Sequence, residues 1–252
     1  MKRHWPVGAE VSEAAFDGGR MLYDTSRTSN FSAEFFEPEY WRNHDAIEGA
    51  ARGRGTTWFL RAGESGFVLR HYRRGGFVAK ISKDAYLWTG DAAGTRAFAE
   101  WYLTYHLHRA GLPVPAPIAA RYVRHGLFYR ADLITQRVEN SEPLAARLLS
   151  GPLPFSQWIA IGRCLRRFHD AGVYHADLNA HNILLTPTQV YLIDFDRGEL
   201  RRRGWWADTT LVRLYRSLEK VTLLAAPASF TDEDWHSLLA GYRESAGLPQ
   251  VA

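Results

Sequence analysis

A chain of 252 residues, 46% hydrophobic and 23% charged, is too apolar for disorder and shows no coiled-coil repeat, and it is long enough for one large domain or two small lobes with cores of their own. Its net charge of +4 favours an anionic ligand or surface without singling out nucleic acid. The single cysteine, Cys164, excludes an internal disulfide, no run of about 18 apolar residues offers a spanning helix, and the N-terminus lacks the apolar core of a signal peptide, so a cytoplasmic protein is expected.

Residues 1–30 are set apart as an N-terminal extension without an assigned role. Beyond them, Thr56 to Arg61 and Phe67 to Tyr72 read as two strands joined by the turn Ala62-Gly63-Glu64-Ser65-Gly66. From Thr95 to Ala110, Phe98, Trp101, Tyr102 and Tyr105 recur at helical spacing, and Gly111 with Pro113 supplies the stop. Tyr122 to Arg130 reads as a second hairpin and Ala131 to Val138 as a strand leading into the polar stretch Glu139-Asn140-Ser141-Glu142-Pro143. That stretch divides a first lobe, 31–138, from a second, 139–252.

In the second lobe a helix is predicted from Ser156, its expected N-cap, to Ala171, with Trp158, Ile161, Leu165 and Phe168 on one face and Gly172 as the stop. Two β-rich runs follow, Ile183-Leu184-Leu185 and Val190-Tyr191-Leu192-Ile193, separated by Thr186-Pro187-Thr188. Strands cluster before residue 138 and helical patterns after 155. The expected fold is therefore α+β and bilobal, an antiparallel sheet with one main helix followed by a mainly helical lobe.

Three polar side chains punctuate the second lobe: Asp177 after His175-Ala176, Asn182 five residues on, and Asp194 at the end of the last strand. Each alone is what a turn or strand end uses. Together they form the set that phosphoryl transfer needs: a carboxylate to orient the attacking hydroxyl, and two oxygen ligands to hold Mg²⁺ against the phosphates of ATP. Asp177 suits the first task, Asn182 and Asp194 the second. Cys164, within the helix and without a neighbouring base, reads as a small buried hydrophobe.

The stretch Leu165-Arg166-Arg167-Phe168-His169-Asp170-Ala171-Gly172-Val173-Tyr174-His175-Ala176-Asp177-Leu178 through Asn182-Ile183-Leu184-Leu185 resembles the catalytic loop of the protein-kinase-like superfamily, and Asp194-Phe195-Asp196 stands where that superfamily has Asp-Phe-Gly. More narrowly, Gly53-Arg54-Gly55-Thr56-Thr57-Trp58-Phe59, Val68-Leu69-Arg70-His71-Tyr72-Arg73-Arg74-Gly75-Gly76 and Asp194-Phe195-Asp196-Arg197-Gly198 are similar to the bacterial lipopolysaccharide-core kinases, in particular those acting on 3-deoxy-D-manno-octulosonic acid (Kdo). The similarity runs from about residue 30 to 220.

The resemblance implies a protein-kinase-like fold with ATP between its lobes, and an enzyme attached peripherally at the cytoplasmic face of the inner membrane. Its reaction would be phosphorylation of the 4-hydroxyl of Kdo on a lipid A precursor, with ATP and Mg²⁺. It groups His175 with Asp177 in catalysis, His175 as a support that hydrogen-bonds near Asp194-Phe195. It places the nucleotide loop at Gly49 to Gly55, with Gly53 and Gly55 over the phosphates although a full G-x-G-x-x-G is missing. Adenine is expected along Thr135 to Val138, with Gln136 and Val138 as contacts. The cation bridging the α/β-phosphates is expected at Arg70, with Lys80 as the alternative. Glu100 is its carboxylate partner, unless that residue is a solvated helix charge.

The stretch after Asp194 is short for an activation segment plus a peptide-gripping subdomain, so a non-protein acceptor is expected. Arg197 and the run Arg201-Arg202-Arg203-Gly204-Trp205-Trp206, with Arg73 and Arg74, suit an anionic lipid at a membrane surface, Trp205 at headgroup depth. The bland alternative is a basic loop with two tryptophans in the core. Rival readings are an aminoglycoside- or choline-type small-molecule kinase, a small atypical protein kinase, and a nucleotide-binding pseudokinase scaffold. No nucleic-acid partner is expected, because no recognition motif accompanies the basic residues.

Overall fold

The computed structural model describes residues 8–28, 31–52, 56–73, 84–224 and 229–244. The chain divides into two units, one running to Tyr105 and resuming over Pro115–Val138, the other made of His106–Val114 and everything from Glu139.

The first unit is built on one antiparallel sheet. In chain order it comprises β1 (Val11–Phe16), β2 (Gly19–Asp24), a 3₁₀ turn (Ala33–Phe36), α1 (Pro38–Asn43), β3 (Ile47–Arg52), β4 (Thr56–Ala62), β5 (Ser65–His71), β6 (Tyr86–Leu87), α2 (Arg96–Arg109), β7 (Pro117–His125) and β8 (Phe128–Gln136). The strand order is β1-β2-β7-β8-β5-β4-β3, with β6 also pairing with β8. Two-residue turns close β4–β5 and β7–β8. Gly63 (φ +58°) and Gly126 (φ +61°) take the left-handed conformation that such turns demand and that a Cβ would penalise.

Residues 11–24, set apart above as an extension, are a hairpin whose second strand joins the sheet at β7, from Gly19 opposite Val123 to Tyr23 opposite Ala119. The signal was Asp17-Gly18, a hairpin dipeptide preceded by Ala14-Ala15. The hairpin read at 122–130 and the strand read at 131–138 are likewise one pair of nine-residue strands, β7 and β8, turning at Gly126-Leu127.

Strand alternation gives the sheet two apolar faces. One, with Leu22, Tyr72, Tyr122 and Leu133, receives Phe98, Trp101 and Tyr105 of α2. The other packs Leu60, Leu69 and Ile134 against Phe36 and Trp41. Much of the aromatic load lies here: Trp101 stacks on Tyr105 with centroids 4.9 Å apart. Arg70 and Tyr72, two residues apart, belong to the face that meets α2.

The second unit contains β9 (Glu142–Pro143), α3 (Leu144–Leu149), α4 (Phe155–Asp170), β10 (Val173–Tyr174), a 3₁₀ turn (Ala180–Asn182), β11 (Ile183–Leu185), β12 (Val190–Leu192), β13 (Glu199–Leu200), α5 (Trp206–Thr222) and α6 (Asp232–Arg243). Ser156 is not the cap of α4. The helix begins one residue earlier, behind Pro154, whose fixed φ (−61°) sets the extended entry without any side-chain cap. α4 and α6 meet backbone to backbone, since a Cβ added at Gly162 would lie 1.9 Å from the Leu238 carbonyl oxygen and one at Gly241 2.2 Å from that of Ile159. A capping box at Thr231 and Asp234 starts α6.

His169 of α4 joins α5 to α6. Thr210 donates its hydroxyl to the Ala207 carbonyl (2.7 Å) and so accepts from His169 Nε2–H (3.1 Å), leaving Nδ1 to accept from the Tyr242 hydroxyl (2.7 Å). This arrangement holds one neutral tautomer. Burial, reinforced by the Arg203 charge, pushes the imidazole down to about 4 from an ordinary 6.5. Below pH 6.5 the unfolded chain therefore takes up a proton that the folded chain refuses. The contribution is complete above pH 6.5 and is lost as pH falls towards 4, on the order of 3 kcal/mol. Urea midpoints measured from pH 7.5 to 5 should fall in the wild type, and His169→Gln should flatten that slope; an unchanged slope would refute the assignment.

Candidate active site

The loop between β10 and β11 is pinned from both sides. His175 is buried, with Nε2–H donating to the Ile193 carbonyl (2.9 Å) and Nδ1 accepting the Asp177 backbone N–H (3.2 Å). Burial pushes its pKa down, and both ring nitrogens are engaged with backbone. Its ring also packs on Phe195, which in turn stacks on Phe168. His175 thereby ties the backbone of Asp177 to the strand end that leads into Asp194.

Asp177 is fixed on its other side as well. Its carbonyl accepts from the side-chain amides of Asn179 and Asn182, both at 2.9 Å, while Asn179 caps the 3₁₀ turn by accepting from His181 N–H (2.8 Å). With the main chain held on both sides, the carboxylate of Asp177 projects outward, its side chain 44% exposed. The amide donation by Asn182 orients that side chain, leaving Oδ1 as its remaining acceptor. Antiparallel pairing of β11 with β12 brings the chain back, and Ile193 N–H bonds the Asn182 carbonyl (3.1 Å) immediately before Asp194. Asp194 sits at φ +64°, a left-handed conformation that costs a non-glycine residue on the order of 1 kcal/mol and that aspartate and asparagine tolerate best.

In the first unit, Arg70 on β5 meets Glu100 on α2 at 2.5 Å, and the Tyr72 hydroxyl donates to the same carboxylate oxygen at 2.5 Å. Arg70 also lies over the Tyr72 ring, 4.8 Å from its centroid. Glu100 is buried, which disposes of the solvated-charge alternative. Gly53, Gly55, Arg74 and Lys80 lie outside the described residues. Gly49 to Arg52, read above as the start of the nucleotide loop, are strand β3, paired with Thr56–Phe59 of β4. The Gln136 amide is engaged too: its N–H bonds the Ala116 carbonyl (2.8 Å) and its side chain accepts from Arg27 (3.1 Å). Val138 lies just beyond the strand.

The basic run behaves unevenly. Arg201 stacks on Tyr174, 3.6 Å from the ring centroid, and pairs with Glu199 (3.3 Å), while Arg203 pairs with Asp170, so both have internal partners already. Trp206 is buried and donates Nε1–H to the Arg202 carbonyl (2.8 Å), whereas Trp205 is 80% exposed. The reading of two core tryptophans therefore holds for Trp206 only. Arg197 occupies a left-handed turn at φ +60°, and Arg73 is exposed past the end of β5.

Arg213 on α5 does not figure in the sequence reading. Its Nη1 lies 3.5 Å from Asp177 Oδ1, and one turn later Ser217 accepts the Ala180 backbone N–H (3.1 Å), so a single face of α5 lines the loop. The buried stripe Ala207, Leu211, Leu214, Leu218 and Val221 has the spacing of a helix packed on a core, and was the available signal for α5 itself. Nothing local connects Arg213 with Asp177.

Comparison with known proteins shows the fold and the family. A solved structure described as WaaP in complex with acyl carrier protein covers 83% of this chain and 88% of its own, with a TM-score of 0.53 and 19% identity, a likeness of fold. The 3-deoxy-D-manno-octulosonic acid kinase of Haemophilus influenzae (strain PittGG) is 40% identical over 238 residues, spanning 90% of this chain and 98% of its own. Proteins of the same description from Vibrio vulnificus (strain CMCP6) and Actinobacillus succinogenes are 39% and 41% identical, over 92% and 88% of this chain and 98% and 95% of theirs. The profile of the Lipopolysaccharide kinase (Kdo/WaaP) family matches residues 38–242, and with relatives at this identity over nearly the whole chain, the protein belongs to that family.

Proposed function

We propose that this protein transfers the γ-phosphoryl group of ATP to the 4-hydroxyl of Kdo on a lipid A precursor, with Asp177 as the residue that receives the hydroxyl. The observation that carries this reading is the presentation of Asp177: a loop held by His175, Asn179 and Asn182 leaves one outward carboxylate, accompanied on the same loop and its returning strand by oxygen donors. As the acceptor oxygen bonds to the γ-phosphorus, the bond to the β–γ bridging oxygen breaks, ADP leaves, and the hydroxyl proton passes to Asp177.

Asn182 Oδ1 and the Asp194 carboxylate are one amide and one carboxylate oxygen, a donor set that suits a hard cation sharing its shell with phosphates and water. No group of three or more His, Cys, Asp or Glu side chains fit to hold a metal occurs among the described residues. Mg²⁺ held there would neutralise charge on the phosphates. In the first unit, the buried Glu100 holds the Arg70 guanidinium at 2.5 Å, the cation that would serve the α/β-phosphates. No helix among the described residues is long and apolar enough to cross a membrane, and exposed Trp205 with its neighbour Arg202 would meet the inner membrane peripherally.

The test offers radiolabelled ATP with Kdo–lipid A precursor, the same lipid lacking Kdo, an aminoglycoside and a generic protein. Label should enter the first alone. Transfer to the aminoglycoside or to protein, with none to the Kdo lipid, would overturn the reading.

A further inference from the structure

We infer that Arg213 reads the carboxylate of the acceptor sugar and thereby sets which hydroxyl is presented to Asp177. The inference rests on the function proposed above and adds to it the group that recognises a sugar acid as distinct from a neutral sugar.

The separation from Asp177 is the first ground. At 3.5 Å, Arg213 Nη1 stands beyond the roughly 2.7–2.9 Å of a direct charge-assisted bond. The guanidinium lies beside that carboxylate, yet its parallel donors are not locked into a bidentate grip on it. Its side chain is 53% exposed, so the planar fork has room to take a planar anion.

Rigidity is the second ground. α5 is anchored on both sides of Arg213 within one turn, by Thr210 on His169 and by Ser217 on the Ala180 amide, and Leu214 between them is fully buried. A helix held in this way fixes the backbone from which Arg213 reaches Asp177.

The chemistry of the acceptor supplies the third ground. In Kdo the carboxyl carbon and the 4-hydroxyl oxygen belong to one ring system and are separated by four bonds of about 1.4–1.5 Å, so the two groups lie within a few ångströms of each other. A hydroxyl seated on Asp177 brings the sugar's own carboxylate within reach of Arg213. Phosphates on the lipid A portion are also anions that an arginine binds, but they are not tied to the reacting hydroxyl through one ring, and the carboxylate is the group this geometry selects.

The test compares wild type, Arg213→Ala and Arg213→Lys on three acceptors: Kdo–lipid A precursor, the same molecule with the Kdo carboxyl reduced to an alcohol, and the same molecule without lipid phosphates. Arg213→Ala should raise the acceptor KM about 10- to 100-fold, the scale of one charge-assisted contact, with ATP affinity by calorimetry unchanged. Reducing the carboxyl should cost the wild type a similar factor and the alanine variant nothing more, and lysine should restore part of the loss. Removing the phosphates should affect wild type and alanine variant equally. Full discrimination against the reduced acceptor by Arg213→Ala would overturn the inference, and so would coupling of Arg213 to the lipid phosphates instead. In both cases transfer to Kdo would persist and the proposed function would stand; absence of transfer to Kdo by the wild type would remove both.

Discussion

Replacing Asp177 by asparagine is expected to leave nucleotide binding close to normal while transfer to the Kdo lipid falls by about 10²–10⁴-fold, the contribution of a positioned base. The substitution preserves size and removes only the charge and the ability to take a proton. The loop should keep its shape, because its supports act on the backbone of Asp177: the His175 ring on its N–H and two asparagine amides on its carbonyl. A loss in kcat with calorimetric ATP affinity intact is the signature of a group used only in the transition state. Near-normal transfer by Asp177→Asn would sink the mechanism.

Asp194→Asn should be comparably severe, on the order of 10²–10³ or beyond, but through a different defect. Asparagine tolerates the left-handed backbone at φ +64° as aspartate does, whereas alanine would add strain to the loss of charge, so the amide is the cleaner probe. The fold should survive, and nucleotide affinity, which in the wild type should rise with added Mg²⁺, should become insensitive to it. Calorimetry with and without the ion separates this from the Asp177 defect. An Asp194→Asn protein with wild-type turnover and an intact Mg²⁺ response would show that the carboxylate is not a metal ligand.

These two experiments bear on residues whose placement near one another follows from the sequence, and the reason is local. Asp177 and Asn182 belong to one loop of fixed length, and a short hairpin returns Asp194 to it, so spacing alone constrains their placement. Helices α2 and α4 were legible because their apolar side chains repeat at the period of a helix packed on a core. The limits appear where a partner lies far along the chain. Whether Arg201 would face a lipid or a tyrosine depended on Tyr174, and whether Glu100 would be solvated depended on Arg70 and Tyr72. Arg213 is the strongest instance, since its place beside Asp177 follows from how α5 seats on His169 and the β10–β11 loop. The β1–β2 hairpin was obscured for a different reason: alanines carry little strand preference, and β2 is fixed by pairing with β7 about a hundred residues later. At Ser156 two local signals competed, and the rigid Pro154 determined where the helix begins.

Cys164, the only thiol in the chain, lies on α4 with Sγ donating to the Val190 carbonyl of β12 at 3.5 Å, and burial pushes it up to about 12. Alkylating reagents attack the thiolate, so the folded protein is almost inert to them at neutral pH. Each adduct then records one opening of the α4–β12 contact. A single mass increment per molecule, followed over time, becomes a clock for the loosening of the second unit, and any ligand that binds its native state should slow that clock in proportion to its occupancy.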